Sequence, residues 1–481
     1  MVQNGMESKW PGLSLGPDLT QEQAEAIFAL GQEAVVFALL QQSQMLAGTR
    51  NLPAALAGDP STPSAQKAAF VKPNDSGGKR RRTPGRKPGH AGSRRQPPAR
   101  IDRTVEHRAE CCPDCGGELN RCSGTRERLI EDIPESVRVE TVRHVIHRDF
   151  CPRCRKVVEP VVTEALPQAS IGNGIVVLSA WLHYALGTTI AQILAVFNYH
   201  LQFQMSPGGL VQQWHRLAEI LEAWYEEILE DIQTSGVLHA DETGWRVNGQ
   251  THWLWCFTCR VATLFTIERS RAGPVVLEFL KEQFSGVLVS DFWYAYGVLT
   301  CVKQKCLAHL LREFKRVEQY KDSGGDWPRF AKSLKRLIRD GIRLRKRKDT
   351  LAESVYERRR DRLEKRLGLI LDSAWSNPEA RRLVKRLVRH RQEVFTFLRY
   401  AEVPFDNNTA ERAIRGAVIM RKTSYNNRSD KGAATQSVLM SVMATLKQRG
   451  LNPVETVKKA LSQYVKTGKL QSLAELTASV C

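Results

Sequence analysis

The stretch Val237 to Val247, VLHADETGWRV, has the composition of a β-strand but carries two adjacent carboxylates, Asp241 and Glu242. A charged carboxylate in a half-buried strand is unfavourable unless a cation meets it. The Asn248-Gly249 dipeptide that follows is a strong hairpin signal, and His252 to Cys259 has the composition of the returning strand. The sequence therefore predicts an antiparallel meander whose first strand carries Asp241.

The residues after this hairpin extend the pattern. Val261 to Ile267 predicts a third strand, Gly273 to Gln283 a helix, and Val287 to Ser290 a short buried strand that ends at Asp291. Three antiparallel strands, a helix and a strand parallel to the first resemble the ribonuclease H-like fold. The first and fourth strands are neighbours in that fold, so we expect Asp241 and Asp291 to face one site.

Length and charge limit the class of protein. A chain of 481 residues exceeds what one hydrophobic core usually organises, so several domains are expected. The formal charge of +20 favours a polyanionic partner, although a basic composition alone is weak evidence. The N-terminus lacks the layout of a signal peptide, and no uncharged apolar run approaches the roughly 18 residues of a membrane span. We therefore expect a cytoplasmic protein without a membrane partner.

A basic arm lies in a Pro-, Gly- and Ser-rich linker. Residues Lys79 to Arg103 include ten Lys or Arg against one Asp. Such an arm neutralises DNA phosphates without selecting a base sequence, and the alternative is a solvated linker with no partner. The DNA-binding residues predicted in the arm are Arg80, Arg81, Arg82, Lys87, Arg94 and Arg95.

Two Cys-Pro-x-Cys knuckles predict a structural Zn²⁺ site. Four thiolates, from Cys112, Cys115, Cys151 and Cys154, complete a tetrahedral site when turn amides point at the sulfurs. The partly alternating segment Val137 to Val142 suggests a hairpin between the knuckles, as in a zinc ribbon. His144 and His147 are substitute candidates for zinc ligands. Redox-active cysteines are the alternative to a zinc site. The other cysteines, Cys256, Cys259, Cys301 and Cys306 among them, have the pattern of ordinary thiols.

Long helical segments surround the predicted sheet. Thr20 to Leu46 forms an amphipathic helix that packs on its own chain or mediates self-association. Ile190 to Phe197 and Pro207 to Glu230 are compatible with a helix-turn-helix-like arrangement or with a plain helical connector. Arg316 to Tyr400 is helical and very basic, and we interpret it as an insertion in the sheet domain whose charge either contacts DNA or is a solvated face.

A third carboxylate, Glu411, lies in the segment Phe405 to Arg415, FDNNTAERAIR. Apolar residues at helical spacing from Ala410 form a buried stripe, and Glu411 flanks it, facing along the boundary between helix and sheet. A capping box with Asn408 and an ion pair with Arg415 explain the same residues by local rules. The surrounding groups favour a phosphate backbone across the helix, and they are Asn407, Asn408, Arg412, Arg415, Arg421 and Lys422.

One histidine lies near these acids in the predicted order of elements. Lys303 to Cys306 predicts a fifth strand, and the helix that begins at Leu307 carries His309. His309 is a candidate accessory residue that binds a phosphate or a catalytic carboxylate, but a lone histidine is more often structural.

The motifs HADETGWRVNG, SDFWYAY, CLAHLLREF and DNNTAERAIR, preceded by the paired knuckles and a basic KPGHAGSRR arm, resemble the transposases of the IS66 insertion-sequence family. The resemblance covers nearly the whole chain, and the DNNTAER segment is its most specific part. The first 70 residues match loosely. The histidine motif departs from the family, since Leu307 stands where Trp is usual and Leu310-Leu311 follow His309 where paired basic residues are usual.

The resemblance implies a DDE transposase with Asp241, Asp291 and Glu411 as its triad. Three carboxylates suit two Mg²⁺ or Mn²⁺ ions, which support attack by water or a 3′-hydroxyl on a phosphodiester. The implied partners are double-stranded DNA at the element's ends and at the target, further copies of the chain on that DNA, and other proteins encoded by the element. The implied location is the nucleoid. The alternatives are a catalytically inactive DNA-binding regulator and a standalone ribonuclease H-fold nuclease.

The predicted fold class is a multidomain α+β protein. It combines a ribonuclease H-like mixed sheet, a helical insertion, a small zinc ribbon and helical N- and C-terminal regions. The predicted domains are an N-terminal helix (1–50), a basic linker (51–103), a zinc ribbon (104–165), a helical domain (166–232), the first part of the catalytic core (233–315), the basic helical insertion (316–400), the helix that carries Glu411 (401–430) and C-terminal helices (431–481).

Overall fold

The computed structural model describes residues 21–32, 34–36, 101, 103–104, 114–118, 130, 137–282, 284–424 and 426–478. The chain divides into two compact units. The first contains Met1–Lys72, Arg143–Leu194 and Met205–Cys481, and the second contains Pro73–Val142 and Ala195–Gln204. Among the described residues, no helix combines the length and the apolar character that crossing a membrane requires.

Short elements precede the central sheet. Helix α1 covers Gln21–Ala29, inside the predicted N-terminal helix, whose residues 37–46 lie outside the described part. Strands β1 (Asp149–Cys151) and β2 (Lys156–Val158) form an antiparallel hairpin around the second Cys-x-x-Cys knuckle. The hairpin predicted at residues 137–142 is wrong, because these residues form no strand. The Val139 N–H donates instead to the Leu201 carbonyl at 3.0 Å.

Three helices follow the β1–β2 hairpin, in the region where helices were predicted. They are α2 (Asn173–Ala180), which continues as a π-helical turn at Trp181–Ala185, α3 (Ile190–Tyr199) and α4 (Pro207–Gln233). Helix α4 begins after Ser206, whose Oγ accepts the Gly209 N–H at 3.1 Å, and Pro207 occupies the first helical position. Both features stabilise a helix start, because they satisfy or remove amides that have no partner within the helix.

A five-stranded mixed sheet forms the centre of the first unit. Its strands lie in the order β5-β4-β3-β6-β7, where β3 pairs antiparallel with β4 and parallel with β6. β4 and β5 are antiparallel, and β6 and β7 are parallel. The bounds are β3 Val237–Val247, β4 Gln250–Thr258, β5 Thr263–Glu268, β6 Val287–Ser290 and β7 Lys303–Lys305, with helix α5 (Gly273–Leu280) between β5 and β6. The predicted meander, helix and parallel fourth strand are confirmed.

The register of β3 and β6 places two carboxylates at the same level. Val237 pairs with Val287 and His239 with Val289, a constant offset of 50 residues. The same offset brings Asp241 opposite Asp291 (241 + 50 = 291), two residues beyond the last pair. Laterally adjacent residues of parallel strands point to the same face of a sheet. Asp241 and Asp291 therefore lie side by side on one face.

Helices α6 to α9 follow β7, and they confirm that the basic segment Arg316 to Tyr400 is largely helical. They are α6 (Leu307–Tyr320), α7 (Trp327–Lys346), α8 (Glu353–Asp372) and α9 (Pro378–Arg389). Their apolar stripes meet in a core that includes Phe314, Trp327, Phe330 and Trp375 and continues to Val289 of β6. These helices are thus packed on the sheet through a shared hydrophobic core.

The last helices return to the sheet. They are α10 (Asn408–Ser424), α11 (Asp430–Gln448), α12 (Pro453–Thr467) and α13 (Leu473–Ala478). Helix α11 covers the edge strand β5, where the hydroxyls of Ser441 and Thr445 accept the backbone N–H groups of Phe265 and Thr263 at 2.8 and 3.0 Å. These bonds satisfy an edge that would otherwise expose unpaired amides.

Helix α10 runs along β3 and is fixed at both ends. At its start the buried Asn407 donates from Nδ2 to the Ala240 carbonyl at 2.8 Å, and its Oδ1 lies 3.0 Å from His239 Nδ1. Near its end Arg421 donates to Thr243 Oγ1 at 2.9 Å and to the Gly244 carbonyl. These contacts hold the first turn of α10, which carries Glu411, against the sheet.

The adjacent asparagines Asn407 and Asn408 test this attachment. We expect Asn407→Ala to lower the free energy of unfolding by about 1–3 kcal/mol, because it leaves the Ala240 carbonyl and the His239 ring without their partner. The exposed Asn408→Ala is the matched control and should change stability by no more than about 0.5 kcal/mol. Thermal unfolding measures both, and equal effects would contradict the proposed attachment.

Candidate active site

The adjacent acids of β3 have different environments, because neighbouring side chains of a strand point to opposite faces. Glu242 is buried, with a side chain that is 1% exposed, and it has a full set of partners. Arg271 donates to Glu242 Oε1 from Nε at 2.9 Å and from Nη2 at 2.7 Å, and the Tyr296 hydroxyl donates to Oε2 at 2.5 Å. Glu242 is therefore a neutralised structural acid.

Arg271 is held between two indole rings. Its guanidinium carbon lies 3.7 Å from the Trp293 ring centroid and 4.5 Å from that of Trp253. Trp293 is tied in turn to the same segment, since its Nε1 donates to the Arg271 carbonyl at 3.0 Å. Cation–π contacts of this kind favour a partly desolvated cation. The arrangement fixes the loop that follows Asp291 against the segment before α5.

Asp241 and Asp291 have fewer partners. Asp241 Oδ1 accepts the backbone N–H of Glu242 at 3.0 Å, and Asp291 Oδ1 accepts the backbone N–H of Trp293 at 2.8 Å. Both residues are partly exposed. No salt bridge to either carboxylate is formed by the residues that the structure describes. Their remaining oxygen lone pairs are available to a ligand.

The pKa of Asp241 depends on burial and on the other acids of the site. Burial raises its pKa well above the usual range, and the negative charges of Glu242, Asp291 and Glu411 raise the pKa further. Like charges at one site disfavour joint ionisation unless a cation compensates them. A hard divalent cation with oxygen ligands would relieve this repulsion. The donor set formed by Asp241, in the middle of β3, and Asp291, directly after β6, therefore fits such an ion.

A buried lysine lies behind Asp291. Lys305 of β7 is 1% exposed and donates to Ser290 Oγ at 3.1 Å, with Glu393 Oε2 at 4.0 Å. Burial lowers the pKa of Lys305, while the charges of Glu393 and Asp291 oppose that change. Lys305 thus interacts electrostatically with Asp291 from the neighbouring strand.

Glu411 extends toward α6. Its Oε1 lies 2.5 Å from Arg312 Nη2 and 3.5 Å from His309 Nδ1. No capping bond to Asn408 and no ion pair with Arg415 is found for Glu411 in the described part of the chain, so the local explanation of this residue is not the one the structure adopts. The pKa of His309 is lowered, first by burial and then by the charge of Arg312, against the opposing charges of Asp291 and Glu411. His309 therefore lies within electrostatic range of two of the three acids.

A second cluster shares Glu411. One ligand atom each from Cys306, His309 and Glu411 lies within 4.8 Å of the other two, the sole group of this kind within the described ranges. Asp241, Asp291 and Glu411 are not so close to one another, because the Glu411 carboxylate is turned toward Arg312. Burial raises the pKa of the Cys306 thiol to about 11, against hydrogen bonds from backbone N–H groups that include the one of Asn407 at 3.2 Å.

The DNA-binding residues predicted on α10 fall into two groups. Asn408, Arg412, Arg415 and Lys422 are exposed. Arg421 is partly buried and bonded to β3, and burial lowers its pKa. Arg421 therefore positions α10, whereas the other four remain at the surface.

Three of the four predicted zinc ligands, Cys115, Cys151 and Cys154, are among the described residues. Cys151 and Cys154 are free thiols on the β1–β2 hairpin, and the Cys154 N–H points at Cys151 Sγ at 3.4 Å. This backbone hydrogen bond is the main cause of a lowered pKa at Cys151. Cys115 is an exposed thiol of the second unit. Cys112 and the arm residues lie outside the described residues, the latter being Arg80, Arg81, Arg82, Lys87, Arg94 and Arg95.

Sequence reasoning missed several residues of this site. Nothing in the composition marks Arg271, Tyr296 or Lys305, since their roles depend on which strands become neighbours. Cys306 carried a usable signal, because Cys-x-x-His at a helix start puts both side chains on adjacent turns. Arg312, at the next turn, belongs to the same pattern.

The comparisons with known proteins identify a family for the central region of the chain. A family model described as Transposase IS66 family matches residues 168–435, more than half of the chain and including all three acids. Two proteins of Sinorhizobium fredii, both named as uncharacterized, are similar over most of their length. Protein y4hP is 22% identical over 394 residues, 73% of this chain and 70% of its own. Protein y4jD is 23% identical over 417 residues, 76% of this chain and 77% of its own.

Arg271 tests the role of the buried Glu242. We expect Arg271→Ala to destabilise the protein by about 3–5 kcal/mol, because it leaves a buried carboxylate without its cation. The exposed Arg260→Ala is the control and should change the free energy of unfolding by no more than about 0.5 kcal/mol. Chemical or thermal unfolding measures both. Adding Glu242→Gln to Arg271→Ala should recover part of the loss, and an unchanged loss would contradict the pairing.

Asp241→Asn should stabilise the protein at neutral pH. The folded-state pKa of Asp241 is higher than its unfolded-state value of about 4, so ionised Asp241 destabilises the fold. This destabilisation is complete above the folded-state pKa and vanishes below the unfolded-state pKa. We expect a gain of about 0.5–2 kcal/mol at pH 8 that shrinks as the pH falls toward 5. Thermal unfolding across this range measures it. The exposed Asp372→Asn is the control, and a gain that grows on acidification would contradict the assignment.

Proposed function

The chain belongs to the IS66 transposase family, and on this premise we propose that it is a DDE transposase that cuts DNA at the ends of an insertion sequence and joins them to a target. The observation that carries the proposal is the placement of Asp241 and Asp291 at one level on neighbouring parallel strands, with Glu411 close enough to raise the pKa of Asp241. The three acids come from segments far apart in the chain. Grouping them leaves charge repulsion that a divalent cation would relieve.

We propose a ribonuclease H-like fold for the catalytic core. The strand order β5-β4-β3-β6-β7, with only the pairings of β4 antiparallel, supports this assignment. Residues 316–400, which include α7 to α9, are then an insertion between the fifth strand and the helix that carries the third acid. The knuckle geometry at Cys151 and Cys154 supports the proposal that this cysteine pair binds a structural zinc ion.

The reaction assigns a role to each acid. Asp241, Asp291 and Glu411 would hold two Mg²⁺ or Mn²⁺ ions, which supply charge stabilisation for the attacking and leaving oxygens of the phosphodiester. The side chains themselves position the reacting phosphate and take no covalent part. Glu242 keeps the strand in place through Arg271, and Lys305 supplies fixed positive charge behind Asp291. His309, close to Glu411, is an accessory residue of the site.

DNA would reach this site along α10. The exposed Asn408, Arg412, Arg415 and Lys422 lie on the helix that carries Glu411, where they suit a phosphate backbone. The basic arm and the net charge of +20 add affinity that does not depend on base sequence and falls with salt. The proposed assembly is a homo-oligomer on double-stranded DNA, aided by other proteins encoded by the element.

The triad predicts the behaviour of three conservative variants. We expect Asp241→Asn, Asp291→Asn and Glu411→Gln each to reduce Mg²⁺-dependent cleavage at least about 100-fold, because each removes a carboxylate that holds the catalytic ions. DNA binding should stay measurable in all three. The readouts are nicking and strand transfer with labelled element ends, and binding by gel shift. The exposed Glu402→Gln is the control and should retain activity.

The outcomes separate the competing functions. Cleavage followed by joining to a target supports a transposase, whereas cleavage of branched DNA without joining indicates a nuclease. Binding to element ends without any Mg²⁺-dependent product indicates a regulator. Near-normal cleavage by any triad variant would contradict the assigned role of that residue.

A further inference from the structure

The Cys306, His309 and Glu411 cluster offers three different donors to one ion. Cys306 is the residue before α6 and His309 lies in its first turn, while Glu411 comes from α10. Sulfur, imidazole nitrogen and carboxylate oxygen all lie within 4.8 Å of one another. A thiol with an imidazole selects Zn²⁺ over Mg²⁺, since Mg²⁺ prefers oxygen ligands alone. Three such ligands and one water complete a tetrahedral zinc site.

Two further observations point to a ligand at this cluster. His309 Nδ1 is a buried atom with no hydrogen-bond partner, although it lies 3.5 Å from Glu411 Oε1. Cys306 Sγ accepts the Asn407 N–H at 3.2 Å and lies at a helix start. Backbone N–H groups and a helix N-terminus both stabilise a thiolate over a thiol. Burial outweighs these effects and raises the pKa of the Cys306 thiol, so a metal that binds there displaces the thiol proton.

We propose that Cys306, His309 and Glu411 form a second Zn²⁺ site, distinct from the cysteine knuckles, and that zinc bound there withdraws Glu411 from the Asp241–Asp291 pair. Zinc at this site would therefore inhibit Mg²⁺-dependent cleavage. The binding part of the proposal stands alone, and the inhibition part rests on the proposed function. A Glu411 carboxylate that zinc holds beside His309 and Cys306 is not free to turn toward Asp241 and Asp291.

Arg312 competes with zinc for Glu411. Its Nη2 lies 2.5 Å from Glu411 Oε1, while 57% of its side chain is exposed. The exposed side chain is free to turn into solvent when an ion takes its place. Removing the guanidinium also removes a positive charge next to the ion. Arg312→Gln should therefore bind zinc more tightly than the natural protein, which a purely structural role of the cluster would not produce.

Metal counting tests the site on the full-length protein. After equilibrium dialysis against micromolar Zn²⁺, we expect one zinc per chain more in the natural protein than in Cys306→Ser or His309→Ala. Glu411→Gln should weaken this extra binding at least about 10-fold. Cys301→Ser is the matched control, because Cys301 is a partly exposed thiol near the same strand that belongs to no such group, and it should keep the extra zinc.

Cobalt gives an independent reading of the same site. The thiolate-to-Co²⁺ absorption of the natural protein should exceed that of Cys306→Ser and equal that of Cys301→Ser. His309→Ala and Glu411→Gln change partly exposed positions, so they keep the test informative if the buried Cys306 variant misfolds. Equal zinc counts in the natural protein, Cys306→Ser and His309→Ala would overturn the site.

Inhibition is measured separately. In the Mg²⁺-dependent cleavage assay, Zn²⁺ should inhibit the natural protein and Cys301→Ser, and Cys306→Ser should need at least about 10-fold more zinc for equal relative inhibition. Equal zinc sensitivity of Cys306→Ser and Cys301→Ser would overturn the coupling. The zinc count needs no catalysis, so a failure of the proposed function is distinguishable from a failure of the site.

Discussion

Electrostatic repulsion among three neighbouring carboxylates is the constraint on which the candidate site depends. Asp241, Glu242 and Asp291 lie within electrostatic range on neighbouring strands, where burial strengthens their interaction. The fold gives one of them, Glu242, an ion pair with Arg271 and a hydrogen bond from the Tyr296 hydroxyl. It leaves the other two with one backbone hydrogen bond each. This unequal treatment supports the proposal that Asp241 and Asp291 are the functional pair.

The third acid depends on the attachment of a distant helix. More than 100 residues separate β7 from Glu411, and most of them form helices with a core continuous with the sheet. Asn407 then fixes α10 beside Asp241, while Arg421 fixes its other end. The backbone of α10 is thus well held, but the Glu411 side chain points to Arg312 and His309. The Glu411 carboxylate would therefore serve both the proposed catalytic site and the proposed zinc site.

Much of the fold could be predicted from local patterns. The bounds of β3, the Asn248-Gly249 turn with positive φ at both residues, and the parallel fourth strand follow from alternation and turn chemistry. The partners of Glu242 could not be predicted, because Arg271 and Tyr296 reach it only through the sheet pairing. The set of basic and amide groups around Glu411 predicts DNA contact for Arg421, whereas its position on α10 turns the side chain toward β3. The hairpin expected at residues 137–142 failed because weak alternation over six residues does not supply a pairing partner.

The central claim is that Asp241, Asp291 and Glu411 hold divalent cations together. A crystal structure of the zinc-free protein soaked in Mn²⁺, with anomalous scattering collected at the manganese edge, tests it most directly. The account predicts manganese between Asp241 and Asp291, with Glu411 turned from Arg312 toward the metal. Manganese absent from this pair of carboxylates at saturating concentration, or bound there with Glu411 still paired to Arg312, would contradict it.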